Sequence, residues 1–183
     1  MWHDLLSDEK FSAILFAVDD GLSRQERERG CPWCSGPLHR ADYPRKARGL
    51  GLAVAGLFEQ RFSFCCGRCR RRRTPPSVRF LGRRVYAAVA VLAAALIALS
   101  ATLSAAASAV AARARTVARW GQFFRSELVR SRFWCAAQGS FAPPPDACGM
   151  PATLVARFAY ADPPDQLLGV LKFLTPITVS GWR

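Results

Sequence analysis

Four of the seven cysteines in this 183-residue chain form two pairs, Cys31-x-x-Cys34 and Cys66-x-x-Cys69. A two-residue spacing lets both thiolates of a pair reach one ion, and two such pairs complete a tetrahedron of the kind zinc prefers. Pro32, Trp33 and Gly36 give the first pair turn chemistry, and Gly67 does so for the second. The 31 residues between the pairs leave room for a ribbon with a hairpin insertion. Four protein ligands leave no open position for water, so the predicted metal is structural rather than catalytic. Cys65 adjoins Cys66, and in a strand the two side chains point opposite ways. Only Cys66 keeps the two-residue spacing, so Cys66 is the expected ligand. His39, Cys135 and Cys148 lack a partner at metal spacing.

The elements that must position this site differ sharply in charge. The chain carries +13 overall, divided as −3 over residues 1–30, +11 over 31–84 and +5 over 85–183. A field of +11 within 54 residues suits a polyanion, either nucleic acid or an anionic membrane surface. The first ten residues hold Asp4, Asp8 and Glu9 and have no basic segment leading into an apolar one, so no secretory signal is expected there. A reducing, cytoplasmic (nucleoid-associated) setting follows, in which clustered cysteines read as metal ligands rather than disulfides.

Phe11, Ile14, Leu15, Val18 and Leu22 recur at helical spacing and predict a helix over 8–27, charged on its other face and stopped near Gly30. Residues 38–43 and 61–65 are predicted as short strands. The run Arg70 to Arg73 reads as a basic exit from the ribbon, followed by a turn at Pro75 and Pro76. Beyond Pro143 to Pro145, short helices are expected near 152–160 and 164–174. No internal repeat of fixed period is present.

Residues 86–112 contain no charge: fourteen are Ala, eight are Val, Leu or Ile, and four are Ser or Thr. The length fits a bilayer span, with Arg83, Arg84 and Arg113 as flanking anchors. Against a span, Ala adds little to insertion. In addition, Val89, Leu92, Leu96, Leu99, Leu103 and Val110 fall on one stripe, as in helices packed on each other. The soluble reading gains from residues 107–120, which match a helix-turn-helix pattern. In the second helix Val117, Trp120 and Phe124 turn inward, and Arg115, Ala118, Arg119, Gln122 and Arg125 turn outward. Arg pairs with guanine and Gln with adenine in a major groove. Two features depart from type: no Gly occupies the turn near Ala111, and Arg113 stands where Ser or Asp usually caps.

With these residues in hand, a likeness emerges. A Cys-x-x-Cys ribbon, a basic exit, the segment 74–80 (Thr-Pro-Pro-Ser-Val-Arg-Phe) and a helix-turn-helix ending in Arg119-Trp120 resemble the N-terminal DNA-binding region of bacterial insertion-sequence transposases. Residues 39–46, 64–66, 74–86 and 171–176 resemble a group of uncharacterised bacterial proteins associated with mobile elements. This resemblance implies a role in transposition or its control, with a transposase or recombinase as partner.

Nothing in the sequence assembles a catalytic centre. Carboxylate-type strand transfer needs three acids around two metals. Beyond residue 84 only Glu127, Asp146, Asp162 and Asp165 remain, in cap or loop contexts. His3 and His39 are the only histidines, and Tyr43, Tyr86 and Tyr160 lack a surrounding Arg/His constellation.

The expected protein is mainly α with a small zinc-ribbon β element and a helix-turn-helix-like helical domain. Its segments are 1–30, 31–84, 85–135 and 136–183. It binds structural zinc and double-stranded DNA and is not an enzyme. DNA contacts are expected from Arg115, Arg119, Gln122 and Arg125 on the helix and from Arg45, Lys46, Arg70, Arg71, Arg72 and Arg73 on the ribbon. Arg48, Arg79, Arg83 and Arg84 extend that phosphate-holding surface. The alternatives are a membrane-anchored ribbon with 86–112 as the span, and a protein-interaction adaptor that touches no nucleic acid.

Overall fold

The computed structural model describes residues 2–82, 84–158 and 162–179. The protein is mainly helical with two small sheets. Helix α1 (Glu9–Arg29) starts where the Asp8 carboxylate caps the Phe11 N–H at 2.9 Å, and it stops at Gly30, whose φ is 73°. The expected helix is therefore present and slightly longer than 8–27.

Its buried face differs from the predicted one. Phe11 and Leu15 are buried as expected, but Ile14 is 45% exposed, and the stripe continues through Asp19, Ser23 and Glu26. Two carboxylates thus lie on the inner side of a helix whose charge was expected outside. Asp19 accepts hydrogen bonds from the Ser77 hydroxyl (2.5 Å), the Val78 N–H (2.7 Å) and Arg79 Nε (2.8 Å). Arg61 Nη1 lies 3.9 Å from the same carboxylate, and Arg61 Nη2 donates to the Pro75 carbonyl at 2.7 Å. Burial lowers the Arg61 pKa to about 10, with Asp19 opposing that shift. Arg79 is equally enclosed: it donates to the Leu57 carbonyl and lies against the rings of Phe16 and Phe62. It is 1% exposed and cannot hold a phosphate, which corrects its assignment to the basic surface.

The ribbon follows. Strands β1 (Leu38–Arg40) and β2 (Tyr43–Pro44) form one arm of a long hairpin. Past a short helix, α2 (Leu52–Ala55), the other arm returns as β3 (Gln60–Arg61) and β4 (Phe64–Cys66). β1 pairs with β4 and β2 with β3, both antiparallel. The two predicted strands are therefore real but each breaks in the middle, where the Asp42 carboxylate accepts the Ser63 N–H. A further strand, β5 (Arg72–Arg73), pairs with β4. Half of the arginine run is thus sheet rather than exit.

The chain between β2 and β3 runs back onto the helices. Arg48 bridges to Tyr86, and a Cβ on Gly49 (φ 83°) would lie 2.7 Å from the Ala90 Cβ. The uncharged run is split in two. Helix α3 (Ala88–Ser100) is buried on every side from Ala88 to Leu96. At Ala101 the backbone becomes extended, and Thr102 caps the Ala105 N–H at 3.1 Å to begin helix α4 (Leu103–Ala109). The change of axis breaks the expected stripe: Val89, Leu92, Leu96 and Val110 are buried, while Leu99 and Leu103 are 42% and 44% exposed. Among the described residues no helix is long and apolar enough to cross a membrane. Residues 86–112 form two short helices rather than one of spanning length.

Helix α4 ends with the Ala112 N–H on the Ala107 carbonyl (2.9 Å) and the Ala111 N–H on the Ser108 carbonyl (3.2 Å). This double closure requires a left-handed residue, usually Gly. Ala111 occupies the position at φ 47°. Left-handed backbone costs a residue with a Cβ about 1–2 kcal/mol. Ala111→Gly is therefore expected to raise stability by about 1 kcal/mol once the extra unfolded-state freedom of Gly is deducted. A higher urea midpoint with an unchanged slope would register the gain.

Helix α5 (Ala114–Gln122) follows, and α3, α4 and α5 pack on one another pairwise. A π-helical turn (Phe123–Leu128) leads to α6 (Arg132–Ala137). α7 (Ala152–Val155) and α8 (Pro163–Phe173) complete the fold. The predicted helix over 152–160 is confined to one turn in its first half, and its end lies outside the described residues. One hydrophobic cluster draws on α1, on Phe58, Val78, Phe80 and Leu81, and on all the helices from α3 to α8. A second, small cluster holds Cys31, Leu38, Phe64 and Cys66.

Candidate functional site

The four predicted cysteines converge. The Sγ atoms of Cys31, Cys34, Cys66 and Cys69 lie within 4.8 Å of one another, with Cys31–Cys69 and Cys34–Cys66 each at 3.5 Å. Zinc–sulfur bonds of about 2.3 Å in a tetrahedron put sulfurs about 3.8 Å apart, so the spacing fits a metal ion.

Both knuckles share one backbone pattern. The Cys31 N–H donates to the Gly36 carbonyl (3.0 Å), and the Ser35 N–H returns to the Cys31 carbonyl (2.8 Å). The Cys66 N–H donates to the Arg71 carbonyl (3.0 Å), and the Arg70 N–H returns to the Cys66 carbonyl (3.1 Å). Ser35 and Arg70, each four residues past the first cysteine, both have positive φ, at 53° and 60°. Gly36 is required for space rather than conformation. A Cβ there would sit 3.1 Å from the Cys66 sulfur and 3.3 Å from that of Cys34.

Strand register decides between the adjacent cysteines. Cys66 pairs with Leu38 on the buried face of the sheet, and Cys65 pairs with His39 on the other. The Cys65 thiol points away from the cluster, toward the Arg70 carbonyl at 3.5 Å. His39 lies beside Gly67, where a Cβ would be 2.7 Å from Nε2, and it does not join the sulfurs. Cys135 and Cys148 are exposed and outside the cluster.

Hydrogen bonding and burial shift two of the four thiols in opposite directions. The N–H of Cys69, followed by that of Arg68, donates to the Cys66 sulfur at 3.4 Å and draws its pKa down to about 6 against the effect of burial. At Cys69 the Arg71 N–H favours the thiolate, but burial and the sulfurs of Cys31, Cys34 and Cys66 push the pKa up to about 12. Metal ligation requires thiolates, so an ion bound here would displace the protons that these sulfurs carry.

The basic residues divide into two sets. Along α5 and the π-helical turn that follows it, Val117, Trp120 and Phe124 are buried and Arg115, Arg119, Gln122 and Arg125 are exposed, as their spacing predicts. Trp120 packs edge-on against Tyr86 at 4.8 Å, which fixes α5 against the start of α3. Arg119 and Gln122 line a groove of about 440 Å³ with Arg84, Thr116, Trp120 and Glu127. Arg84 lies over the Phe123 ring at 4.3 Å, and burial lowers its pKa, with Glu127 opposing. On the ribbon, Lys46, Arg48, Arg70, Arg71 and Arg72 are exposed.

Arg45 and Arg73 have other roles. Arg45 donates to the carbonyls of Gly82 and Arg84 and lies over Phe80, and Arg73 pairs with the buried Glu26 carboxylate. Both fasten the ribbon to its neighbours, so neither is placed as a ready phosphate contact. Arg83 and Tyr160 lie outside the described residues.

Sequence reasoning missed Trp33 as anything beyond a turn residue. It is 50% exposed, with the Arg71 guanidinium 5.4 Å from its ring centroid. A large aromatic within a knuckle flanked by arginines was the available signal.

The fold and site together define a mainly helical protein with a four-cysteine cluster able to hold a metal ion. No known protein family matches the chain, and neither a curated protein nor a solved structure does.

Proposed function

We propose that this chain is a zinc-binding, DNA-binding accessory protein of a mobile element, working beside a transposase or recombinase. The observation that carries the DNA reading is the outward face of α5. Four side chains suited to base edges or phosphates (Arg115, Arg119 and Gln122 on α5, and Arg125 on the π-helical turn after it) project from a segment whose opposite side is locked in the core. Zinc is the ion of choice because four thiolates in two knuckles give a closed tetrahedral site. The ion's task is to fix the shape of the arginine-bearing segment, and no chemistry is assigned to it. Lys46, Arg70, Arg71 and Arg72 supply the remaining positive charge. The mobile-element part of the reading rests on the resemblance of residues 39–46, 64–66, 74–86 and 171–176 described above.

Titration of labelled duplex at several salt concentrations tests this reading. Affinity should fall with salt at a log–log slope of about −0.9 for each phosphate neutralised. If Arg119 meets a phosphate, Arg119→Ala should make that slope shallower by about one such unit. If it meets guanine, the slope should hold while sequence preference relaxes and affinity drops by about 1–3 kcal/mol. An adaptor without DNA contact would show no duplex binding even at low salt, and that result would end the proposal.

A further inference from the structure

The ribbon also sets aromatic rings against arginines that duplex binding would use only as positive charge. Arg71 lies over the Trp33 ring at 5.4 Å, and Arg72, the next residue, lies over the Tyr43 ring at 5.9 Å. Trp33 keeps half of its surface open to solvent. Among the described residues Arg70, Arg71 and Arg72 have no carboxylate within ion-pair distance, unlike Arg40 and Arg73. The three-stranded sheet turns one face inward, with Leu38, Phe64 and Cys66 buried. On its other face His39, Cys65 and Arg72 stand in one cross-strand row. Tyr43 borders that row through Arg72.

Aromatic rings beside unpaired guanidinium groups are the chemistry by which proteins hold single-stranded polynucleotides. Bases stack on the rings, and the cations follow the backbone. A duplex cannot use Trp33 this way, because its bases are already stacked on one another. We infer that Trp33 with Arg71, together with the neighbouring Tyr43–Arg72 pair, is a stacking site for unpaired nucleotides, separate from α5. Each ring lies against one of two consecutive arginines, so a base stacked on either has a cation beside it. The sulfur cluster fixes Trp33 between Cys31 and Cys34, so the platform is rigid before the strand arrives. This inference does not depend on duplex binding by α5, and the test separates the two.

The metal-loaded full chain is titrated with labelled oligo-dT and oligo-rU of about 12 nucleotides and, separately, with random duplex. Trp33→Ala should weaken single-strand binding roughly 5- to 150-fold, the worth of one stacked base. Trp33→Phe should keep most of the affinity. Arg119→Ala should leave oligo-dT binding unchanged, and Trp33→Ala should leave duplex binding unchanged. Failure of duplex binding alone would remove the α5 reading and spare this one. Tighter binding of oligo-rU assigns the strand to RNA and the reverse to DNA, and either agrees with the inference. Absence of single-strand binding, as for a site that docks a protein, overturns it. So does indifference to Trp33→Ala, or an equal loss on duplex. If Trp33→Ala sheds its metal, fluorescence of the unaltered chain decides: saturating oligo-dT should quench the solvent-exposed, red-shifted tryptophan emission, and unquenched emission overturns the inference.

Discussion

Cys66→Ala is expected to lower zinc affinity about 100- to 1,000-fold. A structural zinc site contributes about 10–16 kcal/mol, and an even share for one of four thiolates is about 2.5–4 kcal/mol. Cys66 is also the sulfur that accepts the N–H groups of Arg68 and Cys69, so its loss unties the second knuckle. Cys65→Ala should bind zinc like the unaltered chain, because its thiol faces the other side of the sheet. Metal analysis of purified protein, followed by competition with a chromogenic chelator, separates the two variants. If Cys65→Ala sheds the ion and Cys66→Ala keeps it, the ligand set is wrong.

The second large effect is expected in the core. Asp19→Asn should destabilise the protein by about 3–5 kcal/mol, because removing one partner from a buried ion pair strands the remaining charge. Here two guanidinium groups share one carboxylate, and Arg61 Nη1 and Arg79 Nη2 have no hydrogen-bond partner in the described structure. Asparagine keeps an oxygen for the Val78 N–H but offers nothing to balance the arginines. The loss should be nearly independent of ionic strength, since salt screens buried groups far less than exposed ones. Urea unfolding at low and high salt provides the check, and a penalty below about 1 kcal/mol, typical of exposed pairs, would refute the account.

The parts of this protein that could be read from the sequence were set by local spacing. Cys31-x-x-Cys34 and Cys66-x-x-Cys69 define their knuckles within a few residues each. Strand alternation admits only one of the adjacent cysteines, and the two-residue spacing to Cys69 names Cys66, without any tertiary information. The burial of Val117, Trp120 and Phe124 likewise follows from the helical period carried through α5 into the turn after it.

The parts that were not legible depend on partners far along the chain. Asp19 and Glu26 continue the stripe of Phe11 and Leu15, yet a helical carboxylate defaults to solvent. Partners far along the chain, chiefly Arg79 and Arg73, 60 and 47 residues away, bring these two inside. One cue was present: Arg79 sits between Val78 and Phe80, a context more apolar than a phosphate-binding arginine needs. Thr102 divides the long apolar run by an ordinary cap, which looks the same in sequence as one of several hydroxyl residues in a continuous helix. Strand β5 was hidden because four successive arginines have no alternating pattern, and its pairing with β4 is fixed by the knuckle between them.

The path of residues 45–59, which leave the ribbon, lie against Tyr86 and Ala90 and return, also bears on how such a segment can be exchanged between proteins. A finger that folds unaided can be cut at its ends and moved into another chain. This one would carry Phe58, Val78 and Phe80 away from the apolar interior they share with the helices. Recombination that transplants the cysteines alone therefore delivers a sticky fragment, and the smallest heritable unit must include the helix that receives Gly49.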